Sequence, residues 1–150
     1  MIKIEDKYFL AIISSIAANF IRNIFNYICY QLNFSQYLPR QIAAATFLPT
    51  TKVDSIIGII IGSCADYGVA IFLGIFIVYL LHLTGMSYLL IKGLSIGLLY
   101  WLLIFGMLLK FGVSEINPND LKTNLVFLIN HILLGVFISW LASKYGKKVL

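Results

Sequence analysis

Three residues able to do ionic or proton chemistry stand inside long apolar stretches: Arg22, Asp66 and His131. A charged side chain in the hydrocarbon of a bilayer costs at least about 2.5–3.5 kcal/mol, so each must find a partner, a wet cavity or a route to the interface. Arg22 belongs to a polar row, Ser15, Asn19, Arg22 and Asn26, spaced 4, 3 and 4. At 100° per residue these four fall within an arc of about 60°. Ile13, Ile16, Phe20, Ile24 and Ile28 occupy the opposite face. Asp66 belongs to a row of small residues at intervals of four: Gly58, Gly62, Asp66, Ala70 and Gly74. Arg22 lies just past the middle of its stretch and Asp66 just before the middle of the next. If the two run antiparallel, both belong to the same half of the membrane. The expectation is an Arg22–Asp66 ion pair, with Asn19, Asn26 and Ser63 as candidate hydrogen-bond partners. The competing reading is that Arg22 extends alone toward an interface.

His131 follows Asn130 and shares a face with Asn124, Gly135 and Ala142. The antiparallel count puts it at the depth of Arg22 and Asp66. Joined to them, it would form a set able to relay protons or bind an ion. The favoured reading is structural, with His131 donating to a backbone carbonyl and stitching helices together, because Asp66 is the lone acid within a stretch.

Other chemistry has no footing in the sequence. HExxH, GxSxG and a phosphate loop are absent, as are paired carboxylates within a stretch and His/Cys clusters, so no catalytic residue, metal site or cofactor is expected. Cys29 and Cys64 fall at different depths and read as small packing residues, not as a disulfide. Asn33-Phe34-Ser35 matches a glycosylation sequon, a weak motif so close to a membrane.

The elements that must position these residues follow from composition. Of 150 residues, 61% are hydrophobic and 11% charged, and the mean hydropathy is +0.95. A soluble domain of about 25% charged residues covers its surface; this chain cannot. Four apolar runs, about 8–30, 55–83, 88–111 and 125–145, match the roughly 20 residues needed to cross a bilayer. The expected fold is all-α, a single four-helix transmembrane domain over 1–150. Gly93 and Gly97 in the third run repeat the GxxxG of Gly58 and Gly62, a pattern of close helix packing. Lys92 should lean back toward the start of its helix, and Trp101 should pack. Thr84-Gly85 marks a tight turn, and Asn119 or Asp120 a helix cap. Between spans one and two, Pro39 and Pro49 bracket a segment too short to cross. It reads as a short interfacial helix anchored by Tyr37 and Arg40, with a re-entrant segment as the alternative.

The net charge of +5 comes from scattered basic residues, several at span ends, which suits lipid headgroups and not nucleic acid. Lys3, Lys7, Lys92, Lys144, Lys147 and Lys148 fall on one side, against Arg40, Lys52, Lys110 and Lys122 on the other. That bias favours both termini in the cytoplasm. Ser15-Ile16-Ala17 loosely resembles a signal cleavage site, but Glu5 and Asp6 interrupt the basic start and the apolar pattern continues, so an uncleaved first span is expected.

Several features together resemble small bacterial inner-membrane proteins of the YqhR-like and YagU-like groups. They are the Asn-rich first span ending in Tyr27-Ile-Cys-Tyr30, Asn33-Phe34, the Gly-rich second span with Asp66, Thr84-Gly85, Lys92-Gly93 with Gly97 and Trp101, and Asn124 with His131 and Gly135. The resemblance implies a bacterial, four-span protein of the inner membrane and carries no activity. The leading expectation is a non-enzymatic accessory or structural factor, partnered by the lipid bilayer and able to form homo-oligomers through its small-residue faces. The alternative is a small transporter or channel using the Arg22, Asp66 and His131 set.

Overall fold

Each long helix begins where a side chain supplies the backbone acceptor that a first turn lacks, or where a left-handed residue turns the chain into it. In the computed structural model, which describes residues 6–146 and residue 150, Asp6 accepts from the Phe9 amide at 2.6 Å and opens α1 (Lys7–Gln31). Ser55 accepts from the Gly58 amide at 3.1 Å and opens the long α3 (Ile56–Thr84). Asp120 accepts from the Thr123 amide at 2.8 Å and opens α5 (Leu121–Tyr145), four residues before the apolar run suggests. Between α1 and α3, Pro39 starts the short α2 (Pro39–Ala44). The turn after α3 uses Gly85 at φ 75° and Tyr88 at φ 57° to reverse the chain into α4 (Leu89–Trp101). Lys92 reaches back as expected, its Nζ donating to the carbonyls of Gly85 at 2.8 Å and Thr84 at 3.2 Å.

Four helices are long and apolar enough to cross a membrane: Lys7–Gln31, Ile56–Thr84, Leu89–Leu108 and Leu121–Tyr145. Their outward faces are apolar. Ile13, Ile16, Phe20, Ile24 and Ile28 of α1 are all exposed, as are Phe72 and Phe76 of α3 and Leu99 and Leu102 on the third span. Large hydrophobic side chains on the outside and amides, an arginine and an aspartate on the inside invert the soluble pattern. This is a multi-pass membrane protein.

Around the bundle the order is α1, α3, α4, α5. α1 packs on α3 and α5, and α4 packs most extensively on α5. α3 and α4, though joined by a short turn, touch only sparsely. After Trp101 the third span widens into a π-helical stretch, Leu102–Leu108, a change of winding that the apolar sequence does not announce.

The two GxxxG motifs are spent inside the chain. A Cβ on Gly58 would strike the backbone at Lys52 and Val53, and one on Gly62 would strike the Arg40 carbonyl of α2. Gly93 and Gly97 lie against Gly135, Ser139 and the His131 carbonyl of α5. A second copy of the chain would therefore have to dock on other surfaces. Lys3, Lys147 and Lys148, which the orientation argument uses, lie outside the described residues.

Candidate functional site

The polar row of α1 turns inward as its spacing requires, with Ser15, Asn19, Arg22 and Asn26 all buried. The row of α3 does the same, Gly58, Gly62, Asp66, Ala70 and Gly74 all lying on its buried side. At Gly74 the contact is intimate: an added Cβ would collide with Ser15 Oγ of α1. That close approach brings Asp66 within reach of α1 two turns away. Arg22 Nη2 lies 2.5 Å from Asp66 Oδ1, with side-chain exposures of 3% and 7%. The other carboxylate oxygen accepts from Asn19 Nδ2 at 2.9 Å and from Asn23 Nδ2 at 3.1 Å. Three donors from consecutive turns of one helix thus hold one carboxylate of the next, the arrangement by which a buried charge is tolerated.

Two expected partners take other places. Asn26 does not reach Asp66. Its Nδ2 donates to the Arg22 carbonyl at 3.2 Å, while its Oδ1 accepts from Asn130 Nδ2 of α5. Ser63 stays out of the cluster because Asp66, three residues on along α3, turns toward α1, where Asn23 supplies the missing donor. Asn23 lies 40° beyond the edge of the polar arc, and its side chain is long enough to close the gap.

His131 is buried at the same depth but is not hydrogen-bonded to the pair. Its Nδ1 lies 2.8 Å from the Phe127 carbonyl of its own helix. A carbonyl can only accept, so Nδ1 carries a proton, and in the neutral ring Nε2 is an acceptor. The imidazole links helices through its faces: its ring centroid is 5.6 Å from that of Phe105, edge to face, and 6.2 Å from that of Tyr100. Trp101 stacks on Phe105 at 6.5 Å. Among the described residues no three of His, Cys, Asp and Glu gather as a metal site. Both cysteines are free thiols. Cys29 is buried, whereas Cys64 is exposed on the outer side of α3 and is not the packing residue its type suggests.

Where α3 and the π-helical stretch separate, a cavity of about 410 Å³ opens. Its walls come from Gly68 and Val69 of α3, Ile104 and Leu108 of the π-helical stretch and Ile42 of α2, and Arg22, Asp66 and His131 also line it. A smaller space of about 230 Å³, with Asn23, Tyr27, Arg40, Ser63 and Tyr67 on its walls, shares Pro39 and Asp66 with the first. The sequence offers no sign of either space, since both depend on the splay of α3 from the third span and on the position of α2. α2 lies against the first turns of α3, its Gln41 donating to both carboxylate oxygens of Asp54 at 3.0 Å, and Arg40 Nη2 lies 3.1 Å from Asp54. Comparisons of the chain with protein-family models, with curated proteins and with solved structures each return no match.

Proposed function

We propose that this chain is a non-catalytic accessory or structural factor of a bacterial inner membrane, with both termini on the cytoplasmic side. The observation that carries the reading is the closed hydrogen bonding of Asp66. Every oxygen of the carboxylate is occupied by donors from α1, and His131 is bonded to its own helix. A group engaged in this way holds helices in register and is poorly placed to pick up and release protons. The resemblance to the YqhR-like and YagU-like groups and the excess of basic residues on one side, six against four, support the location and orientation. A reporter fused after Leu150 tests the orientation: cytoplasmic activity is expected, and periplasmic activity rejects it.

One observation favours a second reading, a small transporter: Asp66 borders both cavities. Flux measurements in liposomes separate the two. The accessory reading predicts that the purified protein passes protons, Na⁺ and K⁺ no faster than protein-free vesicles. A flux that disappears in a folded Asp66→Asn variant would replace it with the transporter reading.

A further inference from the structure

The larger cavity has a polar end whose hydrogen bonding is incomplete. Both of Arg22's side-chain partners, Asp66 and Asn23, bind through Nη2. Nε is buried with no partner, and Nη1 makes no hydrogen bond among the described residues. A guanidinium has five N–H groups: the one on Nε is buried and unpaired, and the two on Nη1 are unbonded on a nitrogen that is not fully buried, so Nη1 is the group open to a molecule in the cavity. His131 Nε2 likewise makes no hydrogen bond among the described residues. A buried donor left unpaired costs about 1–3 kcal/mol, more on a charged group. Arg22 and His131 both line the one cavity, whose remaining walls are almost wholly apolar. Its volume is within the roughly 300–1,000 Å³ common to small-molecule sites.

We infer that this cavity binds a neutral lipid whose head is a carbonyl or hydroxyl oxygen, accepting from Arg22, with its hydrocarbon lying between α3 and the third span. Three features select this class. The oxygen is needed because the unpaired groups on Arg22 are donors. A neutral head is needed because Asp66 already balances the charge of Arg22, and an added anion would be buried uncompensated. Depth excludes a phospholipid headgroup: Arg22 is nine residues from the end of α1, about 13 Å inside at 1.5 Å per residue. A hydroxyl would satisfy both sides at once, accepting from Arg22 and donating to His131 Nε2. Access is lateral. Gly68 and Val69 are exposed on the bilayer side of α3, and a Cβ on Gly68 would meet nothing within 4 Å. The wall opposite is the π-helical stretch, a winding found frequently at functional sites.

The inference stands independently of the accessory reading, since a transporter or a structural factor could hold such a molecule. It is tested on the full chain in phosphatidylcholine nanodiscs, by thermal unfolding with four additives: dioleoylglycerol, a benzoquinone bearing a decyl chain, hexadecane and dioleoylphosphatidylglycerol. The expected result is a rise in the unfolding midpoint with the diacylglycerol or the quinone and none with the other two. Gly68→Phe fills the mouth without touching the ion pair, and it should weaken the apparent affinity by roughly tenfold or more. Arg22→Met tests the donor directly but can fail to fold, which is why Gly68→Phe decides. Equal stabilisation by hexadecane, preference for the anionic lipid, no effect of either oxygen-bearing probe, or undiminished binding in Gly68→Phe would each overturn the inference.

Discussion

At the scale of single residues, the molecule turns on the buried polar groups that tie one helix to the next. Asn130 donates to Asn26, and Asn26 donates to the Arg22 carbonyl, so α5 is tied to α1 beside the ion pair. Asn130→Ala leaves Asn26 Oδ1 buried without its donor, and a loss of about 1–2 kcal/mol is expected in reversible unfolding from detergent. Asn23→Ala should cost less, because Asp66 keeps Arg22 and Asn19. A loss at Asn23 equal to that of Arg22→Ala would mean that the carboxylate is held differently. Much of this was legible beforehand. An arginine and an aspartate at matching depth on antiparallel helices have little choice but to meet, and Asn19 shares their face. The roles of Asn23 and Asn26 were not legible, because a periodicity argument fixes direction to within tens of degrees, whereas a hydrogen bond is decided by about half an ångström.

At the scale of elements, glycine sets the distances. Gly97 and Gly135 let α4 and α5 approach backbone to backbone, so an added methyl has no flexible neighbour to displace. Gly97→Ala should destabilise by about 1–3 kcal/mol through overpacking. Gly106→Ala, where nothing lies within 4 Å, should be tolerated. Comparable losses at both sites would remove close packing as the reason for the GxxxG pattern. The sequence announced this packing correctly but not its target: GxxxG reports a close approach without saying whether the neighbour is in the same chain. The existence of four spans was equally legible, since about 20 apolar residues leave few alternatives, whereas their ends were not: α5 starts four residues before its apolar run. The π-helical stretch could not be read. A shift from i+4 to i+5 bonding in a uniformly apolar segment changes no residue type and no period.

At the scale of the whole molecule, four spans bury their polar faces against one another and present hydrocarbon side chains outward. The bundle is closed along α3–α1–α5–α4 and parted between α3 and the third span, which gives it one soft seam. Tyr100 crosses that seam, its hydroxyl donating to the Val69 carbonyl at 3.2 Å. Arg22 and Asp66 hold α1 to α3 from within the bilayer. A double-mutant cycle on unfolding free energy, using Arg22→Ala, Asp66→Ala and both together, measures this link most directly. Each single change strands one buried charge and should cost about 3–5 kcal/mol. The double variant should lose less than the sum, with a coupling of at least about 1–3 kcal/mol. Losses that add to within about 0.5 kcal/mol would show that the two residues do not meet, and would contradict the account.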